Sequence, residues 1–278
     1  MIETSTIYHE NCIETLRRMP DEFLDMTLTS PPYDDLREYN GYHFPVEEIA
    51  ELLLQKTKNG GVVIWVVADR TVNGDETLTS FNHALTFKRV GFRVHDTMIY
   101  QKKNPIPSDC GKRYRQAFEY MFCFSKGQPN TFSPITEPTK SAGTKIKAFR
   151  ITESGRGNVP AEDIGRQIKP ERKVSNVFAY NVGTSSAKDK IAFEHPAIFP
   201  EQLAIDQIST WTKKGDLVYD CFMGSGTTAK VAQILERRWI GSEISAEYVK
   251  LAEDRLRSCF EGSGATTNNN QKQTSSVY

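Results

Sequence analysis

The stretch Asp220–Ala229 reads DCFMGSGTTA and places two glycines of a GxGxxA pattern directly after a β-rich run. Leu217–Phe222 predicts the strand, and Thr227–Arg237 predicts the helix that follows the turn. Glycines at such a turn let the backbone bend tightly and let a ligand approach closely. Glu243 stands nineteen residues beyond Gly224 at the end of the next predicted strand, where a carboxylate can bind ribose hydroxyls. The pattern predicts a site for a nucleoside-containing ligand. It is not a phosphate-binding P-loop, because no Gly-Lys-Ser/Thr ends the turn.

Other β-rich and helical runs surround this turn. The predicted strands are Asp25–Thr29, Val62–Ala68, Phe92–Lys102, Phe118–Phe124 and Trp239–Ile244, and apolar residues at helical spacing predict helices at Pro45–Thr57 and Ile198–Thr212. This alternation predicts an α/β fold with a parallel sheet covered by helices on both faces. A dinucleotide oxidoreductase usually opens with the glycine turn. Here four predicted strands precede the turn, so the order of the sheet is permuted.

The middle of the chain differs in composition and charge. Polar, glycine and proline residues dominate residues 126–190, which predicts an insertion into a catalytic domain formed by residues 1–125 and 191–261. Residues 262–278 predict a disordered polar tail. The formal net charge is zero, yet residues 101–190 hold 17 Lys or Arg against 8 Asp or Glu, a net of +9. Such asymmetry indicates contact with a polyanion, although a solvated loop region stays open as an alternative. The cations of the insertion expected to contact DNA are Arg166, Lys169, Arg172 and Lys173.

Composition excludes several classes of protein. Hydrophobic residues make up 38% and charged residues 25% of the 278 residues, an ordinary globular balance. The longest apolar run, Val62–Ala68, is far shorter than the roughly 20 residues needed to cross a bilayer. The first residues, MIETSTIYHEN, lack the basic and apolar regions of a secretory signal, so we expect a cytoplasmic protein without membrane contact. The five cysteines form no CxxC pair and the five histidines show no ligand spacing, so we expect no metal.

A second turn carries the groups needed to hold an amine. The predicted strand Asp25–Thr29 ends in Ser30-Pro31-Pro32-Tyr33. Two prolines remove two N–H donors and leave a rigid turn of carbonyl acceptors beside a hydroxyl and an aromatic ring. Hydrogen bonds from an exocyclic amine to the Ser30 hydroxyl and the Pro31 carbonyl would draw the amine toward a more nucleophilic, tetrahedral geometry. Tyr33 could stack on a base taken out of its helix. Alone, the motif would better fit a Pro-Pro loop with Tyr33 as a packing residue.

Together these motifs resemble a DNA amino-methyltransferase that uses S-adenosylmethionine, of the permuted (beta) class in which the catalytic motif precedes the cofactor motif. The resemblance covers nearly the whole chain. The similar segments are the catalytic motif at Thr29–Tyr33, the strand before the target-recognition region at Glu119–Gly127, the HPAIFPE element at His195–Glu201, the cofactor loop at Asp220–Thr228, and the closing helix at Glu247–Leu256. Two positions depart from the family pattern: Glu10-Asn11-Cys12 replaces Gly-Asp-Cys, and Cys221 replaces a proline.

The resemblance implies a Rossmann-like methyltransferase fold with a mostly parallel, seven-stranded sheet, circularly permuted, and an inserted target-recognition region. It implies S-adenosylmethionine as cofactor and double-stranded DNA as substrate with base flipping, and it leaves open whether a cognate restriction endonuclease is a partner. The implied catalytic residues are Ser30, Pro31, Pro32 and Tyr33. The implied cofactor-binding residues are Asn11, Cys12, Ser30, Pro31, His195, Phe199, Pro200, Glu201, Asp220, Phe222, Gly224, Ser225, Gly226, Thr227 and Glu243.

The target base is the least determined part of this prediction. In the resembled family a serine before Pro-Pro-Tyr is more frequent in cytosine-N4 enzymes, and aspartate or asparagine in adenine-N6 enzymes. Ser30 therefore favours N4-methylcytosine, with adenine N6 as the alternative. Cytosine C5 methylation needs a thiolate normally presented by Pro-Cys, and none of the five cysteines follows a proline. RNA methylation, a nucleotide-dependent oxidoreductase and an inactive nucleic-acid-binding module remain more distant alternatives.

Overall fold

The computed structural model describes residues 2–32, 44–105, 111–146, 164–183 and 200–261. The chain divides into two compact units, one of residues 1–132 and 176–278 and one of residues 133–175. The first unit begins with β1 (Thr6–His9), α1 (Cys12–Arg18), β2 (Leu24–Thr29), α2 (Val46–Lys56), β3 (Thr57–Val67), β4 (Thr71–Val72), β5 (Asp75–Glu76), α3 (Thr79–Val90), β6 (Arg93–Lys102) and β7 (Phe118–Ser125). The second unit contributes β8 (Thr136–Pro138) and β9 (Glu171–Lys173). The first unit ends with β10 (Val177–Tyr180), α4 (Glu201–Trp211), β11 (Leu217–Asp220), α5 (Thr227–Ile234), β12 (Arg238–Glu243) and α6 (Ala246–Glu261).

One eight-stranded sheet organises the first unit, in the order β1-β12-β11-β2-β3-β7-β6-β10. Only β7 runs antiparallel to its neighbours, β3 and β6. The remaining pairs are parallel. This confirms the predicted α/β fold with a mostly parallel sheet. The sheet has eight strands where seven were expected, because β10 pairs with β6 at one edge.

The strand β3 shows why its sequence is uniformly apolar. Val62, Ile64 and Val66 face one buried cluster, which includes side chains of α4 and α5. Val63, Trp65 and Val67 face the other cluster, which includes side chains of α1, α2 and α3. Successive side chains of a strand point to opposite faces, so a strand covered on both sides is apolar at every position.

The second unit contains a two-stranded ribbon. β8 and β9 pair antiparallel, with Glu137 opposite Arg172, and an isolated bridge joins Lys145 to Gln167 further along. This unit is shorter than the insertion expected at residues 126–190. The segment next to β7 stays with the main sheet, since Gly60 N donates to Lys126 O at 2.6 Å and Asn130 N donates to Gly60 O at 2.9 Å. At the other end, β10 joins the sheet and Tyr180 is buried.

Two features are absent among the residues described above. No helix there combines the length and apolar character that a membrane crossing requires. Nor do three or more His, Cys, Asp or Glu side chains of that part of the chain come together as a candidate metal site.

Candidate active site

Four adjacent parallel strands bring the two predicted motifs to one edge of the sheet. In the order β1-β12-β11-β2, their carboxyl ends lead into Asn11, Glu243, Asp220 and Ser30. The chain leaves β11 through α5 toward β12 on one side, and leaves β2 through α2 toward β3 on the other. Ligands of open α/β sheets bind at the carboxyl ends of the strands, where the connections diverge in this way. The crevice between the ends of β11 and β2 is therefore the candidate site.

A hydrogen bond joins the predicted catalytic turn to the glycine loop. Thr29 Oγ1 donates to Asp220 Oδ1 at 2.7 Å, and Phe222 N donates to the same oxygen at 3.1 Å. Asp220 is 5% exposed. Burial raises the pKa of this carboxyl to about 6, while hydrogen bonds from Thr228, Thr29 and Phe222 act in the opposite direction. The residue that opens the loop is thus held by the residue immediately before Ser30.

The two glycines of the loop are required by its backbone. Gly224 has φ +50° and Gly226 has φ +77°, both in the left-handed region that side chains disfavour. A Cβ at Gly226 would lie 2.9 Å from the Cβ of Ala252 on α6. Gly226 is also the N-cap of α5. The loop therefore needs glycine for conformation at both positions and for close packing at Gly226.

Glu243 is oriented by the backbone on both sides. Gly224 N donates to its Oε2 at 2.8 Å, and Ser245 N donates to its Oε1 at 2.9 Å. A carboxylate oxygen can accept more than one hydrogen bond, so Glu243 retains capacity for two vicinal hydroxyls. The next residue, Ile244, is 67% exposed and offers an apolar surface beside that carboxylate. This arrangement fits the ribose and base of a nucleoside ligand.

A buried ionic cluster lies behind the loop. Arg255 is 0% exposed, and its Nη1 donates to Ser225 O at 2.9 Å and to Thr227 Oγ1 at 2.8 Å. Its Nη2 donates to Glu201 Oε1 at 2.7 Å, and Lys230 Nζ donates to the same oxygen at 2.6 Å. Sequence reasoning named Ser225, Thr227 and Glu201 but missed Arg255 and Lys230. The available signal was the helical spacing of Arg255 with the apolar residues at positions 251 and 252.

The two segments that depart from the family pattern lie close together. Asn11 is exposed and caps α1, with its Oδ1 accepting from Ile13 N at 2.9 Å. The next residue, Cys12, is buried near Cys221, which is also buried. Burial, followed by the nearby Cys12, raises the pKa of Cys221 well above its ordinary value. The Cys221 thiol therefore packs as a neutral group beneath the crevice.

The remaining predicted residues divide by position. Ser30 and Pro32 are half-buried and Pro31 is buried at the end of β2. Pro200 is buried and is the N-cap of α4. The side chain of Phe222 packs near Phe44 and Trp65, with ring centroids 5.8 Å and 6.2 Å away. Three predicted residues lie outside the described part of the chain: Tyr33, His195 and Phe199. The four predicted DNA-contacting residues are exposed in the second unit: Arg166, Lys169, Arg172 and Lys173.

We expect Asp220 to make stability depend on pH. Its folded pKa of about 6 lies above the ordinary value of 3.8. Its contribution to stability is therefore fully present below about pH 4 and is lost as the pH rises through about 6. Asp220→Asn removes this titration and retains an oxygen acceptor. Its free energy of unfolding relative to the parent should rise between pH 4 and pH 7, by roughly 3 kcal/mol at most.

Urea unfolding at several pH values measures this difference. Asp254→Asn, on the exposed side of α6, is the matched control for the loss of a carboxylate. A difference for Asp220→Asn that does not rise between pH 4 and pH 7, or that rises no more than the difference for the control, would contradict the prediction.

Known proteins are similar to this chain in sequence. A sequence profile described as DNA methylase (N6_N4_Mtase) matches residues 24–254. The orphan methyltransferase M.BamHII of Bacillus amyloliquefaciens is 47% identical over 243 residues, which cover 84% of this chain and 89% of that protein. The type II methyltransferase M.HinfI of Haemophilus influenzae is 26% identical over 280 residues, covering 91% of this chain and 68% of that protein.

Solved structures show the same fold. The PvuII DNA methyltransferase (cytosine-N4-specific) superposes with a TM-score of 0.66 at 21% identity, covering 94% of this chain and 93% of that one. The complex of M1.HpyAVI with SAM gives a TM-score of 0.56 at 21% identity, covering 90% and 98%. Profile, relatives and fold agree with the motifs at the crevice. The chain belongs to the N6_N4_Mtase family and is a DNA methyltransferase of the cytosine-N4/adenine-N6 class, whose methyl donor is S-adenosylmethionine.

Proposed function

We propose that this chain methylates the exocyclic N4 amine of cytosine in duplex DNA, with the target base flipped out of the helix. The observation that carries the proposal is the hydrogen bond between Thr29 and Asp220, 2.7 Å long. It connects the amine-holding turn to the nucleoside-binding loop across two adjacent parallel strands, which lie about 4.8 Å apart. A donor site and an acceptor site this close suit direct transfer between two bound molecules.

The cofactor would occupy the crevice along residues 222–227, with its ribose hydroxyls on Glu243. When bound, S-adenosylmethionine supplies a methyl group on a positively charged sulfonium, which is already an activated leaving group. The chain then needs mainly to hold the two partners in line, since alignment alone accounts for a large share of such a rate enhancement. The backbone of the glycine loop and the oriented carboxylate of Glu243 would supply this alignment on the cofactor side.

The turn after β2 would hold the acceptor amine. Ser30 Oγ and the Pro31 carbonyl would each accept a hydrogen bond from the amine N–H groups. These contacts strengthen as the nitrogen gains positive charge during transfer, so they favour the transition state over the ground state. Stacking of Tyr33 on the flipped base stays a prediction, as do cofactor contacts from His195 and Phe199.

The choice of cytosine rests on Ser30, whose type before Pro-Pro-Tyr is more frequent in cytosine-N4 enzymes. Adenine N6 is the second candidate, because the same two acceptors could hold its amine. Mass spectrometry of nucleosides from DNA methylated by the purified protein distinguishes them, and we expect N4-methyl-2′-deoxycytidine. N6-methyl-2′-deoxyadenosine without methylated deoxycytidine would contradict the cytosine assignment, and methylated RNA without methylated DNA would contradict the whole proposal.

The ribbon of the second unit is proposed to contact DNA. A two-stranded ribbon can enter the major groove. The strand β9 and the residues before it carry four exposed cations, of which Arg172 is paired with Glu137 at 2.7 Å. Base contacts from this ribbon would set the recognition sequence. A cognate restriction endonuclease stays a prediction.

Charge reversal at the four cations tests this surface: Arg166, Lys169, Arg172 and Lys173. We expect weaker DNA binding and a flatter dependence of affinity on salt, because each phosphate contact contributes a slope of about −0.9. Cofactor affinity should not change. The matched control reverses four exposed cations of the first unit, at the end of α3 and just before β11: Lys88, Arg89, Lys213 and Lys214. If the salt dependence of DNA affinity did not change in the first variant, DNA would have to bind at another surface.

A further inference from the structure

Three distant segments of the chain meet at the guanidinium of Arg255. Glu201 begins α4, Ser225 and Thr227 belong to the glycine loop and the start of α5, and Arg255 comes from the last helix, α6. The side chain of Arg255 is 0% exposed and that of Glu201 is 8% exposed. Lys230 of α5 reaches the same Glu201 oxygen and is 7% exposed. All of these ionic groups are therefore removed from water.

Such a cluster is a costly way to stabilise a fold. Removing charges from water carries a desolvation penalty that the ion pairs often fail to offset, so well-packed apolar residues commonly serve stability as well or better. What the cluster provides is a fixed geometry. The planar guanidinium offers several donors in a fixed arrangement, which a lysine ammonium does not reproduce. Here those donors are directed at the loop and at the carboxylate of Glu201.

We propose that Arg255 is a positioning residue for the cofactor loop. It would act through the Ser225 carbonyl and the Thr227 hydroxyl, which it binds at 2.9 Å and 2.8 Å, and would not touch the cofactor itself. Glu201 fixes the guanidinium from the other side, at 2.7 Å. With the Ser225 carbonyl bound on this side, the backbone of the loop is held in one orientation relative to the ligand. The inference rests on the proposed cofactor site.

Packing of α6 against the loop supports this role. Ala252 lies one helical turn before Arg255, on the same face of α6. It approaches Gly226 so closely that a Cβ on that glycine would lie 2.9 Å from its own Cβ. The same helix begins directly after Glu243 and Ser245, which border the ribose site. One helix therefore contacts the loop by a small side chain and by a buried cation.

Kinetics and calorimetry on Arg255→Met, Arg255→Lys and Arg257→Met test the proposal. Arg257 lies on the exposed face of α6, paired with Asp254, and is the matched control. We expect Arg255→Met to raise both the calorimetric Kd and the KM for S-adenosylmethionine by about tenfold or more, as for a lost charge-assisted hydrogen bond. The KM for DNA should stay within about twofold of the parent. For Arg255→Lys, the Kd and KM for S-adenosylmethionine should lie between those of Arg255→Met and those of the parent. Arg257→Met should match the parent in both.

Thr227→Val provides a second approach, because it removes the hydroxyl that Arg255 binds. We expect it to raise the Kd for S-adenosylmethionine. The double variant with Arg255→Met should lose less binding free energy than the sum of the losses in the two single variants. If Arg255→Met does not fold, Arg255→Lys and Thr227→Val replace it. Folded variants that bind the cofactor as tightly as the parent would overturn the positioning role. A parent that binds no S-adenosylmethionine would instead overturn the proposed cofactor site.

Discussion

Gly226→Ala should weaken S-adenosylmethionine binding by at least about 100-fold. The substitution places a Cβ 2.9 Å from that of Ala252, a distance that real Cβ atoms essentially never show, at φ +77°. The left-handed conformation alone costs about 1–2 kcal/mol for a side chain. The clash requires the loop or α6 to move as well, and that movement would displace the backbone proposed to receive the cofactor. Isothermal calorimetry with the purified variant measures the loss.

Gly215→Ala separates backbone strain from the clash. Gly215 has φ +83°, and no atom lies within 4 Å of its would-be Cβ. It therefore carries the same conformational strain without the steric contact, and we expect cofactor binding close to that of the parent. Equal affinity losses in both variants would show that strain alone is responsible. If a folded Gly226→Ala variant bound S-adenosylmethionine as tightly as the parent, the loop would not be part of the cofactor site.

Ser30→Ala should lower kcat by about 10² while the KM for S-adenosylmethionine stays near the parent value. The hydroxyl would accept a hydrogen bond from the amine as charge develops on its nitrogen, and loss of one such contact typically costs this much in rate. The cofactor loop and Glu243 would be unaffected, so the loss should appear in turnover. Single-turnover methylation of duplex DNA measures it.

Ser209→Ala is the matched control for the loss of a hydroxyl. Ser209 is half-buried near the end of α4, the end that lies away from the crevice. It should leave methylation unchanged. Turnover at the parent rate by Ser30→Ala would exclude its hydroxyl from the reaction and would also weaken the argument for cytosine.

Local sequence pattern predicted the central elements well and failed where apolar residues do not face the core. The uniformly apolar run within β3 is a strand buried on both faces, as expected. The helix α3 went unpredicted, because its buried positions include Ser80, His83 and Thr86 while Phe81 and Leu85 are exposed. His83 is satisfied in the interior by a hydrogen bond from the Trp65 indole at 3.1 Å. Although Phe87 is buried, the exposed apolar and buried polar residues of α3 obscure its helical periodicity.

Short elements were missed for a different reason. β10 has four residues within a polar stretch, and its place in the sheet depends on pairing with β6, which is about 80 residues earlier in the chain. Strand pairing of this kind is a non-local property, because it depends on which edge is free after the rest of the sheet has formed. The same pairing keeps residues 177–180 in the first unit.

The sequence by itself determined the family, the glycine loop and the uneven charge, and it predicted the catalytic turn, because each depends on residue types within one local stretch of chain. Tertiary structure decided how these parts meet. Thr29 and Asp220 are 191 residues apart, and only the parallel pairing of β2 with β11 brings their side chains to 2.7 Å. From the sequence, Arg255 is one of several charged residues on an amphipathic helix, and only the packing of α6 against the loop distinguishes it. Its burial and its contact with Glu201 then follow from the packing of segments that no local pattern connects.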